Sequence, residues 1–302
     1  MEMRLGIVMA GAGALGWAGA GVMTELERRG IEPFAVCGLG GGAWPAALYM
    51  AGRSVEEMQA ALAQAACMGR RMLKPAGGSG SLLAQRQSAL IDAGRLEHLL
   101  GSQASPRMLS LCPRPGMLLC RTVHGGRKVI FSSREFDREG QALLSMQPSV
   151  SFAARAAMTA APFLKPVEWM GSPVMAEYDA AYASRQLLMM GAQRVLVIQP
   201  ALSVRRKFDA FDLTAAACGA FDQSALPEQA ARLRISMPPE AGALSADRLA
   251  LIAGTAQWAA RSALDGLMEG MGMAHCRILP FSRYALLRGE EKRCTARTDG
   301  LL

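Results

Sequence analysis

Two glycine-rich turns, each set between a short apolar run and a helical pattern, constrain this chain more than any other feature. The first lies in "LGIVMAGAGALGWAGAGVMTELERRG", residues 5–30, and the second in "FAVCGLGGGAWPAALYMAG", residues 34–52. Leu5 to Ala10 reads as a strand, Gly11 to Gly16 as a turn, and the segment from Trp17 as a helix that stops at Gly30. Arg28 and Arg29 fall in its last turn, where the helix dipole favours cations. "PFAVC" reads as a second strand and "AWPAALYMAG" as a second helix, with Pro45 in the first turn, where a missing N–H does no harm. A β-α-β-α opening predicts an α/β fold on a mostly parallel sheet.

Later segments extend this reading. "SVEEMQAALAQAACMGRRML" predicts a helix with Ser54 and Glu57 spaced as a capping box. Pro75 to Ser81, "PAGGSGS", predicts a mobile loop within the domain. "GMLLCRTV" and "RKVIFSS" around "HGG" predict a hairpin, and "GAQRVLVIQP" a buried strand. "SVSFAARAAMTAAPF" predicts a helix up to Pro162; "SADRLALIAGTAQWAARSALDGLMEGM" predicts another, capped by Ser245 and interruptible at Gly254. With 302 residues, 51% of them hydrophobic, the chain can bury one large core.

The charge balance, 33 Lys+Arg against 25 Asp+Glu, is scattered as short pairs such as Arg70-Arg71 and Arg205-Arg206. Without aromatic-interleaved basic runs it argues against a nucleic-acid partner and leaves a peripheral attraction to an anionic membrane surface. Seven cysteines without a CxxC pair fit reduced, buried thiols in a cytoplasmic protein, and His98, His124 and His275 lack metal-ligand spacing, so no metal is expected. No apolar run reaches membrane-span length without Gly or charge interruptions. The N-terminal stretch is read as mature protein, because Glu2 beside Arg4 does not make a positive n-region. The 20 methionines read most simply as core filler.

Gly11-Ala12-Gly13-Ala14-Leu15-Gly16 fits a dinucleotide fingerprint, yet the second strand ends Val36-Cys37-Gly38 without the acid that would bind a ribose. No cofactor is expected. There remains an anion- or oxyanion-binding loop at a helix N-terminus, and after the next strand a sharp strand-to-helix elbow, "GLGGG".

In this order and spacing, "GAGALGWAGAGVMTELERRGI" and then "VCGLGGGAWPAAL" resemble the opening of the patatin-like phospholipases. "RTVHGGRKVIFSS", "AARAAMTAAPFLKPVEW", "GAQRVLVI" and "PPEAGALSADRLALIAG" are similar to later segments of that family, over roughly residues 3–265. The resemblance implies a three-layer α/β/α fold with a mostly parallel central sheet, residues 1–265 as the patatin-like α/β domain, and residues 266–302 as a C-terminal extension packed on it. It also implies acyl-ester hydrolysis by a Ser-Asp dyad beside an oxyanion loop.

Carried over residue by residue, Gly11, Ala12, Gly13 and Gly16 are the oxyanion loop, and Gly38, Leu39, Gly41 and Gly42 surround the elbow tip. The nucleophile position is Gly40. Gapless counting puts the aspartate position at Met175 or Ala176, with Asp179 the nearest acid and more simply a helix-capping or surface residue. With nucleophile and base both missing, the expectation is a non-catalytic relative whose glycine loop takes a lipid, acyl or anionic ligand. Two alternatives stand: an active lipid acyl hydrolase with a nucleophile relocated to Cys37, Ser79 or Ser81, and a structural or partner-binding subunit.

Overall fold

The computed structural model describes residues 2–68, 74–75, 91–92, 94–104, 108–138, 140–160, 164–203, 210–221, 224–273 and 277–278. Its main sheet has nine strands: β1 Leu5–Met9, β2 Ala35–Gly38, β3 Gly116–Thr122, β4 Lys128–Ser132, β5 Leu143–Ser145, β6 Val167–Trp169, β7 Ser172–Ala176, β8 Arg194–Ala201 and β9 Ala230–Ser236. β9, β8, β1, β2 and β3 lie side by side and are all parallel. The early β-α-β-α reading holds, and the sheet is mostly parallel as expected.

Strand β3 is the pivot. One of its edges carries antiparallel β4 over Met117–Arg121, and β5 adds beyond β4. Its other edge meets β2 over Gly116–Leu118 and then β7, antiparallel, over Cys120–Thr122. β2 and β7 therefore approach each other end to end along one edge, with Gly38 opposite Leu118 and Ala176 opposite Cys120. β6 pairs with β7 on the far side as a hairpin.

Helices cover both faces: α1 Ala18–Arg28, α2 Ala43–Met50, α3 Val55–Met68, α4 Gly94–Gln103, α5 Val150–Met158, α6 Ala180–Met189, α7 Ala210–Ala217 and α8 Leu249–Gly270. Leu5, Ile7 and Met9 pack with α1, α2, α5 and α8, while Val8, Cys37, Val195 and Val197 pack with Ala183 and Leu187 of α6. Because β1 and β2 are buried on both faces, their sequences are continuous apolar runs, whereas the edge strand β9 alternates buried Leu233 and Ile235 with Arg232, Arg234 and Ser236. The result is a three-layer α/β/α architecture.

The Ser54–Glu57 capping box forms: Glu57 N–H donates to Ser54 Oγ at 3.1 Å and Ser54 N–H to Glu57 Oε2 at 2.8 Å. Three local expectations need correction. α8 runs unbroken through Gly254, where the space beyond the backbone is open and water can solvate the turn. It also spans residues 265 and 266. Ser245 does not cap it, because its hydroxyl is spent on Gly242 N and Glu240 O and a 3-10 turn, Ala246–Arg248, intervenes. α5 stops at Met158, before Pro162, because Thr159 turns extended and its carbonyl accepts from Ala176 N–H at the end of β7. Most of the predicted loop, residues 76–81, and the tail from 279 to 302 lie outside the described residues.

Candidate functional site

β1 and β2 are parallel neighbours, so the turns that leave them meet at the carboxyl end of the sheet, where α/β folds gather their functional loops. Gly13–Trp17 forms a 3-10 turn that runs into α1, and Gly40–Gly42 forms one that runs into α2. The two turns pack backbone against backbone. A Cβ on Gly16 would run into Gly41 and Gly42, one on Gly41 into the Gly13 carbonyl, and one on Gly42 into the Met9 carbonyl. Ala12 fits because its backbone is extended, with φ −82°, and needs no left-handed conformation.

The elbow keeps the bend expected of a strand-to-helix junction. Leu39 is extended at φ −122° and Gly40 comes next at φ +55°, in the left-handed region that glycine occupies without strain. Several amides near the junction are already used. Gly41 N–H donates to the Gly11 carbonyl at 2.6 Å, Ala14 N–H to the Ala243 carbonyl at 2.8 Å, Leu15 N–H to Ala12 at 3.1 Å and Gly42 N–H to Leu39 at 3.1 Å. The Gly11 oxygen would also stand 2.6 Å from any Cβ at residue 40. A carbonyl oxygen there opposes an anion rather than attracting one.

Tyr178, which sequence reasoning missed, lies over the elbow. Its ring occupies the space into which a side chain at residue 40 would project. It is buried, and its hydroxyl has no hydrogen-bond partner among the described residues. Burial pushes the phenol well above its ordinary pKa, with a smaller upward push from Cys218. The head-on meeting of β2 and β7 puts it there, since the chain leaving β7 at Ala176 must turn directly above the end of β2.

That turn is fixed by charge. Glu177 is buried; its Oε1 accepts from the Tyr178 and Asp179 amides at 2.8 and 3.1 Å, and Lys128 Nζ of β4 donates to its Oε2 at 2.6 Å. Asp179 is the N-cap of α6: its Oδ1 accepts from Tyr182 N–H at 2.8 Å, and Lys128 lies 3.4 Å from its Oδ2. Met175 and Ala176 sit in β7, opposite Arg121 and Cys120. Sequence reasoning also passed over Asp212 of α7, a fully buried acid whose Oδ1 accepts from Ala243 N–H at 3.2 Å and so braces the turn that holds Ala14. Neither Tyr178 nor Asp212 carries a sequence signal of its role, because each acts on segments remote in the chain.

Beside the glycine loop, Gly13, Ala14, Trp17, Trp44, Phe211 and Leu249 help to line an apolar cavity of about 60 Å³. Trp17 and Trp44 meet edge to face at 5.0 Å, and Trp44 Nε1 donates to Gln103 Oε1 at 2.9 Å. Cys37 is buried in β2, and burial raises its thiol far above the range in which a thiolate forms. Ser79 and Ser81 lie outside the described residues. Among the described residues, no group of three or more His, Cys, Asp or Glu could hold a metal ion. No described helix is long and apolar enough to cross a membrane.

No family model matches this chain, and no curated protein matches it. Among solved structures it is similar to VipD from Legionella pneumophila, at 10% identity over 88% of this chain and 67% of that one, with a TM-score of 0.49. It is similar to human GIVD cytosolic phospholipase A2 in complex with methyl gamma-linolenyl fluorophosphonate, at 14% identity over 90% of this chain and 59% of that one, with a TM-score of 0.49. A third is the heterodimeric ExoU-SpcU complex of the Pseudomonas aeruginosa type III secretion system, at 14% identity, 89% of this chain and 52% of that one, and a TM-score of 0.40. The chain thus spans between 52% and 67% of the length of these proteins.

Proposed function

We propose that this chain is a non-catalytic relative of the patatin-like phospholipases, which keeps the paired glycine turns and uses the adjoining apolar cavity to receive the end of an acyl chain. The observation that carries the reading is the Tyr178 ring lying over Gly40, in the space a nucleophilic side chain would need. The supporting points are chemical. The Gly11 carbonyl and the committed Gly41 amide leave that spot unsuited to an oxyanion, and the nearest acid in sequence, Asp179, is engaged as a helix cap. The carbon-lined cavity rewards the burial of methylene groups and offers little to a headgroup.

A fluorophosphonate probe with intact-mass readout tests the non-catalytic part: the wild-type protein remains unlabelled and does not hydrolyse p-nitrophenyl esters. Gly40→Ser combined with Tyr178→Gly, which removes the ring and keeps the turn small, also gives no turnover when circular dichroism shows it folded. Stoichiometric labelling at any serine, or turnover by that variant, overturns the reading. The ligand part is checked by native mass spectrometry after incubation with a fatty acid; one bound fatty acid per chain, lost in Ala246→Phe, which fills the cavity, is expected. An unchanged mass refutes acyl binding.

A further inference from the structure

Helix α8 is apolar on two sides. Its inner positions, among them Ile252, Ala256, Ala260 and Leu264, are buried, and the helix packs on α1, α3 and β9. Its outer face nevertheless carries Trp258, 71% exposed, and Leu251, 40% exposed. Two turns of helix, about 10.5 Å, separate them, so both side chains leave α8 along one line. Nothing in this chain recovers the free energy of covering them.

Gly254 lies between the two. A Cβ there would meet nothing within 4 Å, so packing within the chain does not require glycine, and a glycine inside a helix weakens it relative to alanine. A second helix laid across this point benefits, because the missing side chain lets its backbone come close.

Charge follows the same symmetry. Asp247 precedes the stripe and Arg261 follows it, with side chains 54% and 59% exposed. Asp247 lies 3.6 Å from its neighbour Arg248, and Arg261 lies 3.6 Å from Glu25, which already accepts three shorter bonds from Arg28 and Arg29. Both groups keep bonding capacity towards water. Around the helix axis Asp247 falls within about 40° of Arg261, whereas Arg248 falls about 140° away, outside the stripe.

We infer that α8 is a self-association surface, on which two copies of this chain pair their α8 helices antiparallel across Gly254. A two-fold axis beside Gly254 lays Trp258 of each copy on Leu251 of the other and sets Asp247 beside Arg261, twice over. Parallel pairing would set like charges together. An isologous contact needs a patch complementary to itself, and the series Asp247, Leu251, Gly254, Trp258, Arg261 is one. An anionic bilayer fits less well, because the outer face holds Asp247, Asp265 and Glu269 against Arg248 and Arg261. With 22 residues, α8 is about 33 Å long. One helix pair of that length buries less than the roughly 800 Å² per partner of a tight complex, so the dimer dissociates at about 10 µM. Leu249, which lines the apolar cavity, lies on the opposite side of α8, so this pairing does not depend on acyl binding.

Sedimentation equilibrium from about 1 to about 200 µM tests it. The wild type passes from one chain to two over this range. Gly254→Lys puts a better helix former in place of glycine, so its melting temperature rises by about 2 °C while it stays a single chain. Trp258→Gln weakens the dimer about a hundredfold. Asp247→Arg weakens it about tenfold, and adding Arg261→Asp restores it to within about threefold of the wild type. A wild type that remains a single chain at the highest concentration, unchanged dimerisation in Gly254→Lys or Trp258→Gln, or a charge-exchanged variant no tighter than Asp247→Arg overturns the inference.

Discussion

At residue 40 the absence of a side chain and the presence of Tyr178 are one arrangement. A Cβ there would meet the ring and the Gly11 carbonyl, so the turn keeps its left-handed bend only while the residue is glycine. The same reasoning separates the glycines of the two motifs: Gly16, Gly41 and Gly42 permit backbone contact, whereas position 12, in extended conformation, accepts alanine. The Tyr178 hydroxyl is buried without a partner among the described residues, and such a group weakens the fold. Tyr178→Phe therefore raises stability by about 1 kcal/mol in urea denaturation, and Tyr178→Ala lowers it by about 3 kcal/mol through the cavity it opens. A Phe variant less stable than the wild type would show that the hydroxyl is bonded in solution.

At the scale of elements, α1 and α8 are joined by a charge cluster. Glu25 is fully covered and accepts from Arg28 Nε and Nη2 at 2.9 and 2.6 Å and from Arg29 Nε at 2.8 Å. Arg29 also reaches Asp265 and the Arg261 carbonyl of α8. The hydrogen bonds from Arg28 and then Arg29 hold the Glu25 carboxyl at about 2, below its ordinary 4.5. The lowered folded value means that this carboxylate adds stability above pH 4.5 and that its contribution disappears as pH falls from about 4.5 towards 2. Thermal melts across that window should show a steep loss for the wild type and a flatter profile for Glu25→Gln, which starts less stable at neutral pH. Parallel slopes would remove Glu25 from the acid response. The arginine pair at the end of this helix was visible in the sequence as a dipole-compensating feature; its bond to α8 was not, because Asp265 is brought near only by helix packing.

At the scale of the whole molecule, among the described residues, the parallel centre of the sheet is enclosed by helices on both faces, while β6 at the sheet's edge is partly exposed. Amide exchange should be slowest in β1, β2 and β8, enclosed by helices on both faces, and fastest in β6, whose residues Val167–Trp169 are partly or fully exposed. Faster exchange in β1 than in β6 would contradict the layering. The first 50 residues were legible because strand, glycine turn and helix succeed one another locally, and apolar periodicity with glycine placement encodes each step. The end of α5 at Met158 was misread because a hydrogen bond from β7 to Thr159 sets it, and no local pattern announces that bond. By itself the sequence determined an α/β chain with two adjoining glycine turns and no hydroxyl at residue 40, since those are properties of composition and short-range spacing. Only the tertiary structure decided that β7 ends against β2 and lays Tyr178 across the elbow, because which strands share an edge is settled by long-range pairing and burial.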